Sequence, residues 1–270
     1  MTEEKSGASE RVMRSISEWR AEMKGYVSPP DLIEGLLPHS KGEYLVLAGR
    51  PGIGKTNLMI NLAFSLATGT EWLGRKTRHS RVGYLALEGG KEKIFERFEK
   101  ASANYHDPGD YLSWTISPPY QLRQSKEAIE HFRKTIKDLE VVIVDPLAIF
   151  ASYSEPKLIQ PFIQSFKSIL LGEDVVGLIT HHLRKRDPRY RVHPEDLLDE
   201  IKGAGDITAL ANSALILERG ERERDEMGKY GPSDPNRRTL YFVKAKDAIE
   251  YLPPVDLLYH HDSLTFTKIK

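Results

Sequence analysis

The chain has no cysteine among its 270 residues, which excludes a disulfide framework, a thiolate zinc site and a cysteine nucleophile together. It has no excess of either charge: Lys+Arg and Asp+Glu both number 39, so no global basic field draws it to nucleic acid. Any such contact must rest on a local patch. No apolar run approaches the roughly 18 residues that a membrane span needs, and the start, MTEEKSGASE, is polar and acidic, unlike a secretory leader. These absences predict a cytoplasmic protein with no membrane partner. A hydrophobic content of 40% is enough for one substantial core. The chain is expected to form a terminal arm, residues 1–28, and one α/β domain, residues 29–270; there is no internal repeat.

What is present is concentrated in Gly49 to Thr56, GRPGIGKT, a complete phosphate-binding loop of the form G-x-x-x-x-G-K-[ST]. The run before it, EYLVLA (Glu43 to Ala48), is apolar and strand-like, and NLMINLAFSLA (Asn57 to Ala67) has the composition of a helix. Gly49, Gly52 and Gly54 let the backbone turn its N–H groups around a polyphosphate, and the helix adds the positive end of its dipole. Arg50, Pro51, Ile53 and Asn57 complete the nucleotide-contacting stretch. Lys55 is expected on the β and γ phosphates and the Thr56 hydroxyl on Mg2+.

Residues Met1 to Ala8 read as disordered, and Ser9 to Met23 as an amphipathic helix with Val12, Ile16 and Trp19 at helical spacing. The breaker Ser28-Pro29-Pro30 separates that helix from the domain. Either it packs on its own domain or it is an arm that docks on a neighbouring subunit. Strands are predicted at Arg81 to Glu88, Leu112 to Ile116, Val141 to Asp145 and Val175 to Thr180. Helices are predicted at Gly90 to Ala103, Gln124 to Leu139 and Pro161 to Leu171. Such alternation predicts a mostly parallel sheet flanked by helices, with ligands at the carboxyl ends of its strands. Ala214 to Glu218, Thr239 to Lys244, Val255 to Tyr259 and Leu264 to Thr267 then read as antiparallel additions to one edge, and Gly220 to Arg238 as a mobile loop.

Several residues at strand ends carry chemistry. Asp145 closes VVIVD, the pattern of a carboxylate that orders a Mg2+ shell. Glu88 ends YLALE, a strand expected beside the phosphate-loop strand, where it could orient and deprotonate an attacking water. Glu43 is the other candidate base, but it lies at the wrong end of its strand. His181 and His182 follow VVGLIT; adjacent histidines on an extended chain face opposite ways, so they do not share a metal, and one of the two is packed or solvated. The segment LRKRDPRYR carries Arg184, Lys185, Arg186, Arg189 and Arg191 around Tyr190, a composition suited to a nucleic-acid single strand, although acidic residues follow soon after.

The order GRPGIGKT, YLALEGG, VVIVDPL, THHLRK, IKGAGDITALANSALILER and YFVKAKD resembles RecA-type ATPases, above all the RepA-like plasmid replicative hexameric helicases and their DnaB-like relatives. The resemblance spans roughly residues 30–270. It implies a RecA-like core, hydrolysis of ATP with Mg2+ at the interfaces of a hexameric ring, and single-stranded DNA in the channel. By motif, Lys55 and Thr56 become phosphate and Mg2+ ligands, Asp145 the Walker B residue, Glu88 the catalytic carboxylate and His182 the sensor of the γ phosphate. A basic finger from the neighbouring subunit would come from Lys244 and Lys246 of YFVKAKD or from Lys202 of IKGAGD. Lysine there departs from the family's arginine and acts as a point charge without the planar fork. The alternative reading keeps the fold but drops the motor: a regulatory ATPase or recombination mediator that assembles on nucleic acid without unwinding it.

Overall fold

A computed structural model describes residues 13–116, 126–147, 159–184, 194–201, 204–220, 234–246, 248 and 252–269. The segments read as disordered (1–8) and most of the loop read as mobile (221–233) lie outside them. After a short helix α1 (Ile16–Glu22) come β1 (Tyr44–Gly49), α2 (Lys55–Thr68), β2 (Val82–Ala86), α3 (Lys91–Ser102) and β3 (Leu112–Thr115). Then follow α4 (Lys126–Ile136), β4 (Val141–Asp145), α5 (Ile159–Gly172), β5 (Val176–His182) and α6 (Ala204–Ala209). Four strands close the chain: β6 (Ser213–Arg219), β7 (Arg237–Ala245), β8 (Val255–His260) and β9 (Thr265–Lys268).

The described strands form one sheet in the order β3-β2-β4-β5-β1-β6-β7-β8-β9. Pairing is parallel from β3 through β6 and antiparallel from β6 to β9. Strands β1, β2, β4 and β5 are buried on both faces, as a parallel sheet covered by helices requires. Along β1 the side chains alternate: Leu45 and Leu47 join α2 and α3, while Tyr44, Val46 and Ala48 join α4 and α5. The mixed sheet, mostly parallel with antiparallel strands added at the carboxyl end, is the one the sequence predicts.

Helix α2 is buried almost all round, and the β8–β9 hairpin meets it along one side. Two asparagines on that side meet it. Asn57 Nδ2 donates to the Tyr259 hydroxyl at 2.6 Å, and Asn61 Oδ1 accepts from the Phe266 N–H at 3.0 Å. A buried amide left without such partners would cost about 1–3 kcal/mol, so this pairing sets where the hairpin sits.

Two expectations change. The amino-terminal helix starts only at Ile16, because Ser15 caps it: the Glu18 N–H donates to Ser15 Oγ at 3.2 Å and the Ser15 N–H to Glu18 Oε2 at 2.6 Å. None of its residues is buried; Ile16 is 67% exposed and Trp19 46%, so the helix does not pack on its own domain. Strand β7 reaches back to Arg237 and Arg238, both read from sequence as loop. A run of charge hid a strand whose first turns are pinned by Leu257 and Leu258 opposite.

Candidate nucleotide-binding site

The loop between β1 and α2 opens onto a cavity of about 530 Å³ at the carboxyl ends of the parallel strands. Its walls bring together Pro51 to Asn57, Glu88, Asp145 and His182, which lie on four different segments of chain. Gly49 ends β1 beneath it, where a Cβ would stand 2.8 Å from the Leu217 carbonyl oxygen; only glycine lets β1 and β6 approach there. Gly54, at φ +111°, is in the left-handed region, and a Cβ would stand 2.8 Å from Cζ of Phe266. Gly54→Ala is therefore expected to cost about 1–3 kcal/mol from the backbone alone, read as a lowered melting temperature, with weaker nucleotide binding as the loop shifts.

Lys55 is buried, 7% exposed, and donates from Nζ to the carbonyls of Gly49 and Arg50, each at 3.0 Å. Burial pulls its ammonium below the ordinary lysine range, while the Asp145 and Glu88 carboxylates oppose that shift. One cation thus sits within electrostatic reach of both acids. Asp145 is buried and accepts from the Tyr84 hydroxyl at 2.6 Å and from the Thr180 hydroxyl. Burial, then Asp145 itself, push the Tyr84 phenol well above its ordinary range, which keeps it a donor.

The location of Glu88 corrects one expectation. Strand β2 is bordered by β3 and β4, and both β4 and β5 separate it from the phosphate-loop strand β1. Glu88 lies two residues past the end of β2 and is exposed to the cavity, because all the parallel strands end at the same edge. The Leu87 N–H donates to the Asp145 carbonyl at 2.8 Å, tying the Glu88 segment to the end of β4. Glu43 pairs with Lys167 at 3.5 Å at the opposite end of β1. Of the two histidines, His181 is fully buried, whereas His182 lies beside Gly49 in the sheet and lines the cavity.

The lysines of YFVKAKD are elsewhere. Lys244 pairs across from Ala214, near the amino-terminal end of β6, and donates from Nζ to the Thr208 and Ala209 carbonyls that end α6. Lys246 is exposed just past the end of β7, its N–H donating to the Asn212 carbonyl at 3.1 Å. Both therefore lie at the sheet edge opposite the phosphate loop and do not line their own chain's cavity. Arg184 is exposed directly after β5; Lys185, Arg186, Arg189, Arg191 and Lys202 lie outside the described residues.

Sequence reasoning missed part of the cavity wall. Lys93 and Arg97 project from α3, Arg238 and Tyr259 come from β7 and β8, and His261 from the turn just past β8. Arg238 is 6% exposed; its Nε donates to the Ile53 carbonyl at 3.0 Å and its guanidinium carbon stands 5.8 Å from the Tyr259 ring centre. The i, i+4 spacing of Lys93 and Arg97 behind the Glu88-Gly89-Gly90 turn could have shown them; nothing local marks Tyr259 or His261.

The donor set fits a nucleoside triphosphate with Mg2+. The first N–H groups of α2 have no carbonyl ahead of them in the helix, and Thr56 and Asp145 offer the oxygen donors that Mg2+ takes. Among the described residues no group of three or more His, Asp or Glu could hold a metal by itself.

Strand order and the glycine-rich loop at the start of α2 define a RecA-like P-loop fold. The chain belongs to the AAA domain family, whose model matches residues 8–188. Over 58 residues it is 41% identical to two proteins of Chlamydia trachomatis, one from serovar L2, each described as a probable plasmid replicative DNA helicase. That match covers 22% of this chain and only 11% of theirs. Among solved structures, a DnaB-like replicative helicase superposes with a TM-score of 0.65 at 12% identity, over 96% of this chain and 68% of the other. A KaiC-like protein of the archaeon Pyrococcus horikoshii superposes with a TM-score of 0.58 at 14% identity, over 90% and 97%. At those identities the structural matches speak for the fold alone, and they bear out the expected RecA-like architecture. None of the described helices is long and apolar enough to cross a membrane.

Proposed function

We propose that the chain is the motor domain of a ring-forming, Mg2+-dependent ATPase that moves along single-stranded DNA, as a replicative helicase does. The observation that carries this reading is the convergence of Lys55, Asp145, Glu88 and His182 on one cavity at the carboxyl edge of the sheet. A nucleotide-binding scaffold would need only the first two.

In this mechanism the α2 N-terminus and Lys55 hold the β and γ phosphates. Thr56 and Asp145 would hold Mg2+, which would supply charge neutralisation for the transferred phosphoryl group. Glu88 orients a water and takes its proton as the water oxygen bonds to the γ phosphorus; the bond from that phosphorus to the bridging oxygen breaks and ADP leaves. His182 senses the γ phosphate, and β5 delivers that state to the basic segment directly after it, where Arg184, Lys185, Arg186, Arg189 and Arg191 contact the DNA backbone. The cavity's own cations are Lys55, Lys93, Arg97 and Arg238. A further one, Lys202, Lys244 or Lys246, comes from a second subunit, since the latter two face away from their own cavity. The arm, residues 1–28, docks on a neighbouring copy through Ile16 and Trp19 of its exposed helix α1, leaving residues 29–270 as the ATPase domain.

Strand displacement on a forked DNA duplex tests the motor. ATP-dependent separation supports it, and hydrolysis stimulated by single-stranded DNA without separation assigns the chain instead to a regulatory switch. Deleting residues 1–28 is expected to convert a six-membered ring, imaged by negative stain with nucleotide and single strand, into smaller species; rings of unchanged size would sink the docking role of the arm.

A further inference from the structure

The carboxylate of Asp145 is held from both sides by hydroxyls that the chemistry above does not use. Tyr84 Oη donates to Oδ2 at 2.6 Å and the Thr180 hydroxyl donates to Oδ1. Tyr84 and Thr180 are fully buried. The three residues sit on β2, β4 and β5, adjacent strands whose carboxyl ends lead to Glu88, Asp145 and His182. Packing alone does not call for either oxygen. The Tyr84 ring lies edge-on to Phe98 at 5.3 Å, a contact that phenylalanine would keep, and valine matches the shape of threonine.

We infer that Tyr84 and Thr180 are positioning residues that fix the Asp145 carboxylate for metal binding and thereby lock the strands of the hydrolytic acid, the metal acid and the sensor in one register. A carboxylate has about four acceptor sites. The two hydroxyls take one on each oxygen, which prevents rotation about the Cβ–Cγ bond and leaves the remaining acceptor capacity to the cavity that Asp145 lines. Partners of this kind behind a metal-binding carboxylate typically carry 10–100-fold in metal affinity, roughly the loss expected from removing one of them. The inference rests on the proposal that this cavity holds a Mg2+–nucleotide complex.

The test uses the full chain with a non-hydrolysable ATP analogue and Mn2+ as an EPR-visible substitute for Mg2+. Tyr84→Phe and Thr180→Val are each expected to weaken Mn2+ binding by the protein–nucleotide complex roughly 10–100-fold, with Thr180→Ser restoring it and with nucleotide affinity in EDTA changed by no more than about twofold. Wild-type Mn2+ affinity in both Tyr84→Phe and Thr180→Val would overturn the inference while leaving the nucleotide site intact. So would an equal fall in affinity with EDTA present, because that reports general loosening of the site. A wild-type protein that binds no Mn2+–nucleotide would overturn the nucleotide site itself and this inference with it.

Discussion

Lys55→Ala is expected to remove ATP turnover, lowering it by at least about 100- to 1000-fold, the usual consequence of losing one preorganised group that stabilises transition-state charge. The side chain touches the loop as well as any phosphate: its Nζ bonds the Gly49 and Arg50 carbonyls, so alanine also leaves those two acceptors to find other donors. Two losses are therefore expected together, weaker nucleotide binding and absent hydrolysis, with the melting temperature falling modestly because the core beneath is unchanged. Phosphate release measured beside equilibrium binding of a fluorescent ATP analogue separates them. Turnover within tenfold of wild type would show that the loop is not the phosphate site.

Glu88→Gln is expected to give the opposite division: nucleotide binding retained and hydrolysis lost by roughly 100- to 10,000-fold, the range for general acid–base catalysis. The position makes this a clean experiment. Glu88 is exposed beyond the end of β2, so an isosteric amide should change stability by no more than about 0.5 kcal/mol. An amide fills the same space but cannot take the proton of the attacking water. If the glutamine variant turned over normally, the base would lie elsewhere. Glu43, bonded to Lys167 at the far end of β1, is not placed to serve.

The local chemistry of this site was legible in the sequence, and its geometry was legible only in part. GRPGIGKT announced its own structure because each requirement is local: an apolar strand, a glycine at φ +111° and a helix start. Asp145 and His182 were readable because short apolar strands end on them. The neighbour of β2 was not readable, since strand order is set by packing of helices between distant segments and YLALE fits beside any buried strand. Lys244 and Lys246 matched a motif by spacing, yet the sheet carries them to the opposite edge, where Lys244 caps α6. Tyr259 and His261 entered the cavity through the fold of the β8–β9 hairpin against α2, a contact between residues some 200 positions apart, and Arg238 entered it from β7 through its bond to Ile53. Tyr84 and Thr180 read as ordinary strand residues; only the pairing of β2, β4 and β5 brings both hydroxyls to one carboxylate.

The most direct measurement is the rate of phosphate release from ATP and Mg2+ by the full chain, with and without single-stranded DNA, beside Glu88→Gln. Glu88-dependent hydrolysis that rises when single strand is added is the predicted result. Hydrolysis that persists in Glu88→Gln, or that is indifferent to DNA, would contradict it.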